Sequence, residues 1–143
     1  MAQLKKTASQ ITNKHKRIRV LHVDADSEFL KIFKLIMMEM DNQLDIDEVR
    51  SVKEAFAKLK RKKYDVVISD YDMIQKDGLQ FLKELREAKN KIPFILFTIR
   101  SKEELPPNAL NFEFTHYISK YGNAETVFKE MANTIVAYAE ICT

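Results

Sequence analysis

The sequence predicts an α/β protein built on a parallel sheet, and two observations support this prediction. Five short apolar segments with the properties of strands alternate along the chain with segments of helical periodicity. The central segment, residues 65–70, contains the β-branched run Val66-Val67-Ile68, which is typical of a strand buried on both faces. Such an alternation predicts five strands and five helices, with the helices covering both faces of the sheet.

The strands are predicted in order at 18–23, 44–49, 65–70, 92–97 and 114–119. The second is the weakest, because its apolar residues alternate with acids, and we expect it near an edge of the sheet. Pro93 is compatible with the fourth strand because it lies at the start of that strand.

Capping residues and apolar periodicity place the helices. Ser27, Ser51 and Asn123 are predicted to cap the first, second and last helices, and the third is expected at about 79–88. The segment 101–113 starts like a helix but contains Pro106-Pro107. Proline inside a helix costs about 3 kcal/mol. We therefore expect this helix to be short, displaced or begun late.

Bulk composition excludes several classes of protein. The chain has 143 residues, of which 45% are hydrophobic and 31% are charged, and this balance suits one domain with a real core. The single cysteine, Cys142, excludes a disulfide framework and a cysteine-rich zinc site, and fits a cytoplasmic location. No apolar run approaches the roughly 20 residues of a membrane-spanning helix, and no signal-peptide pattern opens the chain, so no membrane association is expected.

The positive charge of the chain is concentrated at its start. Residues 1–19 contain six of the 24 basic residues and no acid, so the remainder carries 18 basic residues against 21 acids. We interpret residues 1–17 as a basic, flexible N-terminal arm and residues 18–143 as the folded domain. Nucleic acid is not the expected partner of the arm, because no aromatic residues are interleaved to stack on bases.

Polar residues close several of the predicted strands. Asp24 and Asp26 follow the first strand, Asp70 the third, Thr98 the fourth and Lys120 the fifth. In a parallel sheet these ends lie along one edge. Clustered acids favour a cation with oxygen ligands such as Mg²⁺, and a cation beside a lysine suits a transferred phosphoryl group. A carboxylate there can act as the nucleophile that forms an acyl phosphate.

Four segments carry a resemblance to a known family. They are Val20–Asp24, Tyr64–Asp70 with Asp77-Gly78 after it, Phe94–Thr98 and Tyr117–Lys120. With these segments in this order, the chain from Arg19 to about Ala139 resembles the receiver domain of two-component response regulators. The resemblance implies a flavodoxin-like (βα)5 three-layer sandwich with a five-stranded parallel sheet of order 2-1-3-4-5.

The resemblance also implies a function. Asp70 matches the aspartate that accepts phosphate from a sensor histidine kinase or a phosphotransfer protein. Thr98 and Lys120 match the hydroxyl and the lysine that contact the phosphoryl group, and Tyr117 matches the aromatic that turns inward when the hydroxyl residue moves. The expected role is phosphorelay signalling to a downstream protein target rather than enzymatic turnover, and a homodimer is left open.

The same resemblance implies a Mg²⁺ site with one defect. Asp24, Asp70 and the backbone carbonyl of Asp72 match metal-binding positions, and Asp26 is a further candidate. Ala25 stands where the family has a second acidic ligand, so we expect Mg²⁺ to bind weakly. Ile99 stands where the family prefers a small residue, which we expect to narrow access to Asp70.

Two alternatives remain at this stage. The departures at Ala25 and Ile99 would suit a degenerate receiver that takes no phosphate and acts only as a protein-interaction module. The Asp24-Ala25-Asp26 motif also resembles that of haloacid-dehalogenase-like phosphatases. That minor alternative lacks the further acid pair expected after Lys120.

Overall fold

The computed structural model describes residues 17–141, which form one five-stranded parallel sheet of order β2-β1-β3-β4-β5. The strands are β1 (Ile18–Val23), β2 (Leu44–Val49), β3 (Val66–Ser69), β4 (Phe94–Thr98) and β5 (Thr115–Ser119). The helices in this range are α1 (Ser27–Met40), α2 (Val52–Arg61), α3 (Gly78–Glu87) and α4 (Ala124–Ile141). The predicted fold class and strand order are confirmed. Of the predicted arm, residues 1–16 lie outside the described residues, as does Cys142, so the arm stays a prediction.

Both faces of the sheet carry an apolar core, which explains the continuous apolar run in β3. Val66 and Ile68 pack on the core that includes Phe33 of α1 and Met131 of α4, whereas Val67 packs on the opposite core with Phe81 of α3. Successive side chains of a strand point to opposite faces, so a strand inside a three-layer fold needs apolar residues at every position.

Side-chain caps set the starts of the helices, in one case at a different residue from the one predicted. Asp26, not Ser27, caps α1: its Oδ1 accepts hydrogen bonds from the N–H groups of Glu28 and Phe29, both at 3.1 Å. The helix begins at Ser27, so the residue before it supplies the capping oxygen. Ser51 caps α2 as predicted, and Asn123 accepts from the N–H of Thr126 at the start of α4.

The segment between β4 and β5 contains a single 3-10 turn, Lys102–Glu104, rather than an α-helix. The expectation of five α-helices is therefore wrong by one, although the helix in this segment was expected to be short, displaced or begun late. Pro106-Pro107 supplies no backbone donor and Asn108 has a φ of 62°, so an α-helical ladder cannot continue through it. Among residues 17–141, no helix is long and apolar enough to cross a bilayer.

Candidate functional site

Three charged side chains meet where β1, β3 and β5 end. The ammonium Nζ of Lys120 lies 2.8 Å from Oδ2 of Asp24 and 3.4 Å from Oδ2 of Asp70. Because β4 separates β5 from β3, the lysine side chain has to extend over β4, and its Nζ lies 5.7 Å from the ring centroid of Phe97. It also lies 4.4 Å from the ring centroid of Phe29, a second favourable cation–π contact.

Burial distinguishes the two carboxylates of this cluster. Asp24 is 2% exposed, and its two oxygens accept from Lys120 and from the N–H of Asp26. The Asp70 side chain is 14% exposed, and its Oδ1 accepts from the N–H of Tyr71 at 2.7 Å. Burial raises the pKa of Asp70; Lys120 opposes this and Asp24 adds to it. One lysine thus balances two carboxylates, and Asp70 is the more accessible of the two.

Thr98 and Tyr117 both bond to the backbone of Arg100. Thr98 is fully buried at the end of β4, and its Oγ1 accepts from the N–H of Arg100 at 3.2 Å. The partly buried Tyr117 donates its hydroxyl hydrogen bond to the carbonyl of Arg100. The hydroxyl and the aromatic that were predicted to move together are therefore joined through one residue. The side chain of Ile99 is exposed. The narrowing of access to Asp70 that was expected from Ile99 stays a prediction.

Arg100 also forms an ion pair that sequence reasoning missed. Its Nε donates to both carboxylate oxygens of Asp72, at 2.9 and 3.0 Å, and its Nη2 lies 2.8 Å from Asp72 Oδ1. The guanidinium carbon lies 4.9 Å from the ring centroid of Tyr71. No sequence pattern pointed to this pair, because Asp72 and Arg100 both lie in loops outside any apolar periodicity.

The expected metal positions are only partly assembled. Asp26 uses Oδ1 to cap α1, and the carbonyl of Ala25 accepts from Nε and Nη2 of Arg50, both at 3.3 Å. Within residues 17–141, no group of three or more His, Cys, Asp or Glu side chains is arranged to hold a metal ion. Two carboxylates, Asp24 and Asp70, remain side by side, and Mg²⁺ is often held by only one or two carboxylates, with water and phosphate oxygens completing its shell.

His22 lies on β1, two residues before Asp24. It is fully buried with its ring centroid 4.2 Å from that of Phe33, and neither ring nitrogen has a hydrogen-bond partner. Burial, with a smaller contribution from the charge of Lys120, lowers its pKa to about 3. The ring is therefore neutral at pH 7.

Comparison with known proteins assigns the chain to a family. Residues 20–132 match the pattern that defines the response regulator receiver domain, so the chain belongs to that family. It is 27% identical over 128 residues to a protein-glutamate methylesterase/protein-glutamine glutaminase of Treponema denticola, a match covering 85% of this chain. The match covers 34% of that relative, so the chain spans about a third of its length.

Solved structures show the same fold. The receiver domain of Francisella response regulator 1452 superimposes with a TM-score of 0.76 at 23% identity, covering 88% of this chain and 99% of the other. The response regulator TrrA of Thermotoga maritima, solved in complex with Mg²⁺ and BeF, has a TM-score of 0.67 at 26% identity, covering 82% and 98%. Receiver domains of this family are signalling modules.

Proposed function

We propose that Asp70 accepts a phosphoryl group from a phosphohistidine of a sensor histidine kinase or phosphotransfer protein, in the cytoplasm. The observation that carries this proposal is the cluster in which Lys120 contacts both Asp24 and the more accessible Asp70. A carboxylate oxygen of Asp70 attacks the phosphorus, the bond from phosphorus to the histidine nitrogen breaks, and its electron pair stays on the imidazole. Lys120 is positioned to balance the charge of the transferred group.

Mg²⁺ is proposed to bind beside Asp70, held by the carboxylates of Asp24 and Asp70 and the backbone carbonyl of Asp72. When bound it supplies positive charge against the phosphoryl oxygens. Two features support weak binding. Ala25 offers no carboxylate, and its carbonyl is hydrogen bonded to the positively charged Arg50. We expect Ala25→Asp to tighten Mg²⁺ binding, measured by titration, whereas an unchanged affinity would mean that Asp26 or water already compensates.

The proposed output is a change in the segment 98–117 that a downstream protein reads. If Thr98 donates its hydroxyl to a phosphoryl oxygen, its bond to the N–H of Arg100 has to be rearranged, and Tyr117 is held by the carbonyl of that same residue. A beryllofluoride adduct at Asp70 is expected to shift the NMR signals of Thr98, residues 101–113 and Tyr117 together. Thr98→Ala is expected to uncouple them.

Intact mass spectrometry tests phosphoryl acceptance directly. After incubation with acetyl phosphate and Mg²⁺, the wild type is expected to gain the mass of one phosphoryl group and Asp70→Asn to gain none. No gain in the wild type, with Mg²⁺ raised until binding is saturated, would favour the degenerate receiver. That alternative is supported by Ala25, which lacks a carboxylate, and by the hydrogen bonds from Arg50 to its carbonyl. No observation favours the phosphatase alternative.

A further inference from the structure

A second surface lies between α2 and the loop that joins β3 to α3, and none of the residues of the ion cluster is among those that line it. It is a groove of about 630 Å³, a size typical of ligand-binding clefts. Val52 and Phe56 of α2 form its apolar wall, and Ile74 lies on the opposite side. Ile74 is 81% exposed, so the loop presents a large apolar side chain to solvent. The next residue, Gln75, has a φ of 74°, which is uncommon for a residue other than glycine.

The groove is strongly basic within a mildly acidic body. Its cations are Lys53, Lys60, Arg61 and Lys76, and none of the described residues that line it is acidic. Lys76 pairs with Glu84 at 2.8 Å, whereas the other three have no carboxylate within 4.0 Å among residues 17–141. The chain beyond residue 19 carries 18 basic against 21 acidic residues, so the charge of the groove is opposite in sign to the net charge of that part of the chain.

We propose that this groove, lined by α2 and residues 74–76, binds an acidic peptide segment of a partner protein that carries an aromatic or aliphatic anchor. The anchor packs against Val52 and Phe56, and the carboxylates of the segment lie against Lys53, Lys60 and Arg61. Charge complementarity of this kind selects the partner and speeds association, while a buried apolar anchor supplies much of the affinity. The proposal does not depend on phosphorylation of Asp70.

Nucleic acid fits the groove less well than an acidic peptide. Binding of single strands relies on aromatic rings presented for stacking along a basic path. The ring of Phe56 is the aromatic side chain of the described lining, and it is partly buried in an edge contact with Phe81, with 5.1 Å between centroids. The groove therefore offers an apolar wall for a side chain rather than a stacking platform.

The test is a selection from a random dodecapeptide library on the full chain, counter-selected on Ala57→Trp. Ala57 is an exposed helical residue of the groove lining, so tryptophan adds a bulky ring to the groove without altering the buried face of α2. Peptides that lose at least about tenfold in affinity for Ala57→Trp are expected to be acidic and to contain an apolar anchor. The proposal is overturned if no peptide depends on the groove or if the dependent peptides are neutral or basic. It is also overturned if a mixed-sequence DNA oligonucleotide binds there more tightly.

Charge reversal provides the second variant. Lys60→Glu combined with Arg61→Glu is expected to weaken the selected peptides about tenfold or more, with thermal unfolding confirming that both proteins are folded. The matched control is Lys31→Glu combined with Lys83→Glu, which changes net charge equally at exposed helical positions outside the groove. Equal weakening by the control would mean that net charge, not the groove, binds the peptides, and would overturn the proposal.

Discussion

Two ion-pair systems at the same edge of the sheet differ in burial, and this difference separates their effects. Lys120 with Asp24 and Asp70 is mostly buried, and one cation balances two carboxylates. Arg100 with Asp72 is about as well formed geometrically, but its side chains are 40% and 43% exposed. A buried charge that loses its partner is costly because water cannot replace it, whereas an exposed pair is screened. The buried cluster is therefore expected to control stability and reactivity, and the exposed pair to control mainly loop geometry.

Removing the cation of the buried cluster should have the largest effect. Lys120→Met, which keeps the apolar stem against Phe29 and Phe97, leaves two carboxylates side by side. Without divalent cations it should lower the free energy of unfolding at pH 7 by about 3 kcal/mol. Urea denaturation measures this loss, and adding Mg²⁺ should restore part of it. A loss below about 1 kcal/mol would show that Asp70 avoids the cost by taking up a proton.

The buried His22 should make the fold sensitive to acid. Its pKa is lowered from 6.5 to about 3, so below pH 6.5 the unfolded chain binds a proton that the folded chain does not. Stability should therefore fall by up to about 1.4 kcal/mol per pH unit between pH 6.5 and about 3. His22→Leu should remove this part of the slope, measured by urea denaturation at several pH values. An unchanged slope in the variant would contradict the assignment to His22.

Neutralising Asp70 should stabilise the fold. Its pKa is raised by burial, so its contribution to stability is present in acid and is lost as pH rises through the folded-state pKa. Asp70→Asn should therefore raise the free energy of unfolding at pH 7 by about 1 kcal/mol, and by less in acid. A gain that did not shrink in acid would point to a cause other than the charge. Glu87→Gln, which removes one negative charge at an exposed position of α3, serves as the control.

Breaking the exposed pair should have the smallest effect on stability. Arg100→Ala removes the bonds to Asp72 but keeps the backbone groups that bond Thr98 and Tyr117. The free energy of unfolding should change little, because water and ions screen an exposed pair, and salt should reduce the change further. A loss as large as that in Lys120→Met would mean that exposure does not distinguish the two systems.

The convergence of Asp24, Asp70 and Lys120 was predictable because each residue directly follows a strand, and parallel strands place these ends at one edge. The pairing of Arg100 with Asp72 was not, since both lie in loops whose paths no periodicity describes. The N-cap of α1 was predicted one residue too late, at Ser27 instead of Asp26. Ser27 and Asp26 are both good capping residues, and only the observed start of the helix decides between them.

The order of apolar and polar residues was enough to locate the strands, the parallel sheet and the residues at the strand ends, because burial on both faces and helical periodicity each require a characteristic apolar spacing. It also determined that 101–113 could not be a regular helix, because proline lacks the required N–H. The folded arrangement was needed to show how one lysine is shared by two carboxylates, that Arg50 donates to the carbonyl of Ala25, and that α2 and residues 74–76 line a basic groove. These features join residues far apart in the chain, and their distances depend on side-chain packing rather than on any local pattern.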